Sequence, residues 1–539
     1  MALGWAGGLV ILLTMVGVGL MFAFDISLAQ VFRDAWEELR RFWAWLRKHW
    51  PLRRLGKPKA ILLELEKPKP SSTQPTVAPQ QHFKESLPRR EPPVVRETAA
   101  PSSGELQGQH VPQWELPRIE DVLIESDEEQ MSLSDIREKA RIIEETLNSF
   151  GVPVTVVEVN PGPVVTQFGL EPGYIERRDR QGRVKRVKVK VSRIAALSND
   201  LALALAASPI RIEAPVPGKG VVGLEVPNSE TAIVGLRSVL ESEEFRAIAS
   251  SPLAVGLGRD VSGRAVVDDL ARLPHLLIAG ATGSGKSVCI NALIACLLCR
   301  NTPDELKLVM IDPKRVELSG YNGIPHLLAP VVVELERVVG VLRWAEREMD
   351  RRYRTFAKVG ARNIQAYNEM ALDRGEEKMP YIVIFIDELA DLMMVAPDEV
   401  ERSICRIAQM ARAVGMHLVI ATQRPSVDVV TGLIKANFPA RISFAVSSQV
   451  DSRVILDSPG AEKLLGRGDA LYMAPDSPKL IRIQGAYVSD AEIARLVSFW
   501  RGQLARRVEA HVPPPQSVDL SSVEQRPLWP ELEEEEKRE

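Results

Sequence analysis

The stretch GATGSGKS at residues 280–287 combines residue types and spacing that suit phosphate chemistry. It follows the apolar run LLIA and precedes the helical run SVCINALIACLLC, which is the strand–loop–helix setting of a phosphate-binding loop. Glycines let backbone N–H groups approach phosphates closely, and the start of the helix adds positive potential. We therefore predict an ATP site formed by Gly280, Ala281, Thr282, Gly283, Ser284, Gly285, Lys286 and Ser287.

Two acids after a later apolar strand predict that ATP is hydrolysed and not only bound. Lys286 would place its charge at the β- and γ-phosphates, and the hydroxyl of Ser287 would ligate Mg²⁺. The run YIVIFI ends in Asp387 and Glu388. Asp387 would complete the Mg²⁺ site, and Glu388 would orient and deprotonate the attacking water. The alternative is a solvent-facing acidic pair at a strand end.

Further candidates for catalysis follow the run MHLVIA and lie in three arginine-containing segments. Gln423 would touch the γ-phosphate and report its loss; the alternative is a plain turn before the next proline. ATPases with a phosphate-binding loop often complete the catalytic site with one arginine from a neighbouring subunit. Arg412, Arg441 and Arg453 are the candidates, and we include Arg441 among the predicted catalytic residues, although the sequence alone does not choose between them.

Four basic residues in or near predicted loops are candidates for contacts with the phosphates of nucleic acid. They are Lys358, Arg362, Arg424 and Lys435, often next to Gly, Asn or Pro. Basic side chains on such loops suit phosphate contacts that do not read the bases. Each of them, taken singly, is alternatively an ordinary surface charge.

The elements that would position these residues alternate between short apolar strands and helical segments. The strands are HLLIA, KLVMI, YIVIFI, MHLVIA and RISFAV. Near-continuous apolar strands separated by helices predict an α/β fold with a parallel sheet covered on both faces. We place this domain at residues 231–505.

A small α+β domain is predicted ahead of it, at residues 119–230. A helix around residues 134–147 precedes the strand-like runs VTVVEV and VVTQF. Residues 177–190 hold eight bases and one acid around Gly182 and predict a hairpin with a positive face. Its function is either duplex contact or protection of an edge strand by lysine.

Length and composition exclude several classes of protein. The chain has 539 residues, of which 45% are hydrophobic and 26% charged. These values exclude wholesale disorder and a collagen-like or small disulfide-bonded protein. A net charge of −3 means that any nucleic-acid binding must come from local basic patches. Four cysteines in this length favour a reducing compartment.

The termini differ from the rest of the chain. Residues 1–25 form a nearly uncharged apolar run, long enough for a transmembrane helix; a cleaved signal peptide is the alternative. Residues 26–50 are basic and aromatic, and we predict a helix at headgroup level on the cytoplasmic side; an ordinary amphipathic helix packed on another part of the protein is the alternative. The proline-rich residues 51–118 are predicted to be a disordered linker, and residues 506–539 a disordered acidic tail.

Several longer stretches, in the same order along the chain, resemble the FtsK/SpoIIIE family of membrane-anchored DNA translocases. The resemblance covers about residues 120–500. It rests on PHLLIAGATGSGKS (274–287), IDPKRVELSGYNGIPHLL (311–328), REMDRRY (347–353), IDELADLM (386–393), ATQRPSVDVVTGLIKANFPARISF (421–444) and SSQVDSRVILDSPGAEKLLGRGDALY (447–472), with NPGPVV (160–165) and RIEAPVPGKGVVGLEVPN (211–228) in the small domain.

The resemblance implies a RecA-like P-loop motor that forms a homo-hexamer around double-stranded DNA, with the small domain as a second tier. It also implies the cytoplasmic (inner) membrane as the location, chromosome segregation at division or sporulation septa as the role, and division-site or recombinase proteins as partners. We expect two departures: a single membrane span instead of four, and no winged-helix domain after the motor. A membrane-bound ATPase for protein secretion or conjugative coupling is the alternative.

Overall fold

A computed structural model describes most of the chain between residues 113 and 511. The described ranges are 113–125, 133–178, 184–216, 219–477 and 479–511. The predicted membrane span and the basic aromatic segment lie outside them, as do most of the predicted linker, the tip of the basic hairpin and most of the acidic tail. Within the described ranges no helix is both long enough and apolar enough to cross a bilayer.

The first described segment, residues 113–125, lies against the last helix of the chain (Asp490–His511), and we call it the strap. It contains the short helix α1 (Ile119–Val122). The side chain of Gln503 bonds both backbone groups of Glu115, at 3.0 and 2.7 Å. The carboxylate of Glu492 accepts the N–H of Ile124 at 2.7 Å. The strap therefore runs antiparallel to the last helix.

A four-stranded antiparallel sheet follows, in the order β1-β2-β6-β5, with a separate two-stranded hairpin of β3 and β4. Its buried core includes Ile143, Leu147, Phe168 and Leu224. The elements are α2 (Leu133–Ser149), β1 (Val154–Pro161), β2 (Val165–Pro172), β3 (Tyr174–Arg178), β4 (Val184–Lys188), α3 (Val191–Ala196), α4 (Ser198–Ala204), β5 (Arg211–Glu213) and β6 (Val222–Pro227).

The larger part of the chain is built on a nine-stranded sheet in the order β10-β11-β12-β9-β13-β14-β15-β7-β8. Its elements are α5 (Leu236–Leu240), α6 (Glu243–Ile248), β7 (Ala254–Asp260), β8 (Ala265–Asp269), β9 (His275–Ala279), α7 (Lys286–Arg300), β10 (Leu306–Ile311), α8 (Leu335–Val359), α9 (Ile364–Asp373), β11 (Tyr381–Ile386), α10 (Leu389–Val395), α11 (Pro397–Met410), β12 (Met416–Thr422), α12 (Gly432–Asn437), β13 (Ala440–Phe444), α13 (Gln449–Leu456), β14 (Asp469–Met473), β15 (Leu480–Gly485) and α14 (Asp490–His511). Short 3-10 turns span Ser319–Tyr321, Ala411–Val414 and Ala461–Lys463.

The five apolar runs singled out in the sequence all form strands of this sheet, and their mutual pairing is parallel. The parallel pairing does not extend through the whole sheet, however. Strands β14, β15, β7 and β8 extend it by antiparallel pairing from β13. Strands β8 and β15 are partly exposed, and all four strands contain charged residues, so they lack the continuous apolar signal of strands that are buried on both faces.

A buried ionic network joins the two sheets. The guanidinium of Arg482 on β15 binds both carboxylate oxygens of Asp469, at 2.9 and 2.6 Å. The same guanidinium reaches Glu225 on β6 at 2.6 Å. Glu225 also pairs with Arg211 at 2.8 Å. The four-stranded sheet is therefore attached to the nine-stranded sheet through charges that are shielded from water.

Candidate nucleotide site at the carboxyl edge of the sheet

Five loops meet at the carboxyl edge of the sheet, where the parallel strands end. Strands β9 to β13 run in one direction, so the segments that follow them lie side by side. These segments are residues 280–285, 312–318, 387–388, 423–431 and 445–448. The sequence-predicted residues Lys286, Asp387, Glu388 and Gln423 all lie in or next to these segments.

The phosphate-binding loop depends on glycine where its backbone comes close to other chain segments. Gly285 has a φ of 116°, and a Cβ there would lie 2.7 Å from the nitrogen of Gly468. The N–H of that second glycine donates to the carbonyl of Ser284 at 2.8 Å. A Cβ on Gly280 would lie 2.5 Å from the hydroxyl of Ser284. The loop is thus held in a shape that larger residues would disturb.

Lys286 is buried at the start of α7 and bonds the first acid of the predicted pair. Its Nζ lies 2.7 Å from the carbonyl oxygen of Asp387 and 2.5 Å from that residue's Oδ1. The other carboxylate oxygen, Oδ2, is buried and has no hydrogen-bond donor among the described residues. A buried carboxylate oxygen without a donor suits a metal ligand. Asp387 and the half-buried Ser287 therefore fit a Mg²⁺ site.

Glu388 is buried, and both oxygens of its carboxylate accept hydrogen bonds. Oε1 accepts from the hydroxyl of Thr422 at 2.7 Å, and Oε2 accepts from Lys314 Nζ at 2.8 Å. The backbone N–H of Gln423 is shared between both oxygens, at 3.1 and 3.2 Å. Burial raises the pKa of Glu388, but the bonds from Lys314 and Thr422 outweigh it and leave that pKa below its usual range.

Gln423 contacts both the phosphate-binding loop and the predicted base. Its side-chain oxygen accepts from the hydroxyl of Thr282 at 3.0 Å, while its N–H holds Glu388. The residue therefore lies where a sensor of the γ-phosphate is expected. Arg424, the next residue, is exposed, and its guanidinium lies 3.6 Å from the sulfur of Met394.

Arg441 has a structural environment that contradicts its predicted catalytic role. It is 7% exposed. Its guanidinium donates to the carbonyl oxygens of Phe438, Ile455 and Lys435 and lies 2.7 Å from Asp457. These bonds hold the side chain inside its own subunit, because releasing it would leave several buried acceptors unpaired.

The other two candidate arginines lie at opposite edges of the sheet. Arg412 belongs to the 3-10 turn ahead of β12, at the edge away from the phosphate-binding loop. Arg453 is exposed on α13, which follows β13 and therefore starts at the carboxyl edge. Of the three candidates, Arg453 is the one on a helix that starts at the same edge as the phosphate-binding loop.

The four predicted DNA-binding residues do not form one cluster within the subunit. Lys358 and Arg362 are exposed near the end of α8, which packs beside residues 410–415. Arg424 lies beyond the other end of β12, about 20 Å away at the usual rise of a strand. Lys435 Nζ is 2.7 Å from Asp457, so that charge is already paired.

Lys314 is the site residue that the sequence reasoning missed. It follows β10 in the segment IDPK, three residues beyond the end of the apolar run. The signal that could have found it is the same one that found Asp387: a charged residue just past the end of a buried parallel strand. Its partner, Glu388, lies 74 residues later in the chain, just after β11, and that pairing was not visible from spacing.

Two family models match this chain. The FtsK/SpoIIIE family model matches residues 235–427, and the FtsK alpha domain model matches residues 116–228. Together they cover more than half of the sequence, including all of the four-stranded sheet and strands β7 to β12 of the nine-stranded sheet.

Curated relatives are similar over most of the chain. A protein named DNA translocase FtsK from Caldanaerobacter subterraneus subsp. tengcongensis is 56% identical over 372 residues, 69% of this chain and 50% of that protein. DNA translocase SpoIIIE from Bacillus subtilis is 50% identical over 400 residues, 73% of this chain and 49% of that protein. The chain therefore spans about half the length of the curated relatives it matches.

Among solved structures, the pCW3 conjugation coupling protein TcpA with ATPγS is 22% identical. The match covers 66% of this chain and 96% of that one with a TM-score of 0.45, too low to bear on function. The assignment rests on the family models and the curated relatives, whose similarity extends across the phosphate-binding loop and the two acids. On that evidence this chain belongs to the FtsK/SpoIIIE family.

Proposed function

We propose that this chain is an ATP-driven translocase of double-stranded DNA. The observation that carries the proposal is the position of Gln423, which contacts Thr282 in the phosphate-binding loop and Glu388 at the same time. A change at the γ-phosphate would therefore move the segment that continues into Arg424. The names of the relatives, DNA translocase FtsK and SpoIIIE, support DNA as the substrate.

The hydrolysis step would use the residues at the carboxyl edge. Lys286 would turn from Asp387 to the phosphates, and Ser287 and Asp387 would hold Mg²⁺, which supplies positive charge to the β- and γ-phosphates. Glu388 would take a proton from water while the water oxygen bonds to the γ-phosphorus. The bond from that phosphorus to the bridging oxygen breaks, and ADP leaves with the electron pair.

Movement would follow from the loss of the γ-phosphate at this edge. Gln423 would shift as phosphate leaves, and Arg424 would shift with it against the DNA backbone. Lys358, Arg362 and Lys435 are further candidates for phosphate contacts, Lys435 only after it leaves Asp457. Backbone contacts tolerate every sequence, which a translocating motor requires.

The assembly we propose is a homo-hexameric ring of RecA-like motors around the duplex. Arg453 would reach the nucleotide of the neighbouring subunit, and the four-stranded sheet would form a second tier. Residues 1–25 would anchor each subunit in the cytoplasmic (inner) membrane as a single span, with the motor in the cytoplasm. The role would be chromosome segregation at division or sporulation septa, with division-site or recombinase proteins as partners.

The test is ATP turnover by the full-length chain in lipid nanodiscs, with and without long linear duplex. We expect duplex to raise turnover several-fold and to exceed the effect of an equal charge of heparin. The Glu388→Gln variant should retain ATP binding and lose turnover by about 100-fold or more, as expected for loss of a general base. Lys286→Ala should lose binding as well.

Turnover that is equal with duplex, heparin and buffer would contradict the translocase. It would instead favour the protein-secretion or conjugative-coupling alternative. Substantial turnover by Glu388→Gln would show that another residue activates the water.

A further inference from the structure

Each carboxylate oxygen of Glu388 already accepts two hydrogen bonds. A carboxylate offers about four lone-pair directions. Thr422 takes one on Oε1, Lys314 takes one on Oε2, and the N–H of Gln423 is shared between the two oxygens. A general base must accept a hydrogen bond from the water that it deprotonates. In this arrangement Glu388 is not ready to accept a proton from water. At least one of its hydrogen-bond donors has to leave before Glu388 can act as the general base.

The donors differ in how easily they can leave. Thr422 is fully buried at the end of β12, and the N–H of Gln423 belongs to the backbone that follows it. Lys314 instead reaches Glu388 with a long side chain that is 35% exposed. An ammonium group on a flexible stem regains solvation and rotamer freedom when it withdraws into water. It is the donor whose departure costs least.

The backbone under Lys314 is fixed, so withdrawal needs only a side-chain movement. The buried carboxylate of Asp312 accepts the N–H groups of Glu317 and Leu318 at 3.1 and 3.0 Å. The N–H of Asp312 itself donates to Val332 at 2.9 Å. These bonds close residues 312–318 into a turn. Arg315, the residue after Lys314, carries a second cation in the same turn, and its side chain is exposed.

We propose that Lys314 is a positioning residue that restrains Glu388 in the resting state and limits ATP hydrolysis when no duplex is bound. The inference rests on the proposed function. Binding of duplex releases the restraint by separating Lys314 from Glu388. The duplex-stimulated rate of ATP hydrolysis is therefore the rate of a site in which Glu388 has no lysine partner. Lys314 then sets the ratio between stimulated and basal turnover, and it does not set the affinity for ATP.

The test compares Lys314→Met, Lys314→Arg and wild type as full-length chains in nanodiscs. We expect Lys314→Met to raise basal kcat about tenfold, the factor that corresponds to the weaker end of charge-assisted hydrogen bonds. Its duplex-stimulated kcat and its KM for ATP should stay unchanged, so the stimulation ratio falls about tenfold. Lys314→Arg keeps a cation within reach of Glu388, so its basal rate should stay as low as that of wild type.

The matched control is Arg315→Met, which removes a cation from the same turn without touching Glu388. It should leave both rates unchanged, and binding of a fluorescent ATP analogue should be equal in all variants that are correctly folded. A basal rate unchanged in Lys314→Met would overturn the restraint. A fall of both rates would also overturn it and would make Lys314 an aid to catalysis. Absence of turnover in wild type would remove the proposed function, and this inference with it.

Discussion

Replacing Arg482 by leucine should weaken the attachment between the two sheets, because it removes the cation that two buried carboxylates share. The side chains of Arg482, Glu225 and Asp469 are each at most 4% exposed. Glu225 keeps Arg211 as a partner after the replacement. Asp469 keeps the N–H of Leu465 but loses both bonds to the guanidinium. A buried charge is thus left without its counter-ion.

Breaking a buried ion pair from one side costs roughly 3–5 kcal/mol, since the remaining charge stays desolvated. For a domain of this size, each kcal/mol lowers the melting temperature by roughly 2–4 °C. Arg482→Leu should therefore lower the Tm of the full-length chain by roughly 6–20 °C in differential scanning calorimetry. Adding Asp469→Asn should recover part of the loss, because the orphaned charge is then absent.

Arg264→Leu is the matched control. It breaks an exposed pair with Asp260, and such a pair contributes at most about 1 kcal/mol. A Tm for Arg482→Leu within the range of this control would refute the reasoning, as would a double variant less stable than the single one. Either result would mean that the network is hydrated in solution.

Two further predictions concern pH and salt. Burial lowers the pKa of His275 to about 3 and that of His417 to about 4, so the folded chain keeps them neutral while the unfolded chain protonates below about 6.5. Stability should therefore fall as pH drops from about 6.5 towards 3, and His275→Gln should flatten this fall in Tm; an unchanged slope would exclude the histidine as its source. Replacing the exposed Lys188 and Lys190 by alanine should weaken duplex binding and reduce its salt slope by about one to two units, whereas Lys378→Ala should change neither. If the variant and wild type show the same salt dependence of duplex binding, the lysines of the β3–β4 hairpin instead protect an edge strand from pairing with other chains.

The parts of the site that sequence reasoning found are those whose signals are local. The phosphate-binding loop carries its whole pattern within eight residues, and Asp387 and Glu388 are marked by the buried strand directly before them. Parallel strands then bring such residues to one edge without further information. The five buried strands of the parallel part were predictable for the same reason.

The parts that were missed depend on partners far apart in the chain. Lys314 gains its importance from its ion pair with Glu388, which follows the neighbouring strand β11. Arg441 looked like an available cation, but Asp457 and three carbonyl oxygens enclose it. The antiparallel extension joins residues 254–269 to residues 469–485, and half-exposed strands carry too weak a pattern to announce that pairing.

The strap determines which part of the structure bears a force applied to the N-terminal side of the chain. Residues ahead of Trp114 lead towards the N-terminus, and this tryptophan packs edge-on against Trp500 and under the guanidinium of Arg507. Gln503 then clamps the next residue through both of its backbone groups. A pull from the N-terminal side is therefore borne by the final helix before it reaches the four-stranded sheet.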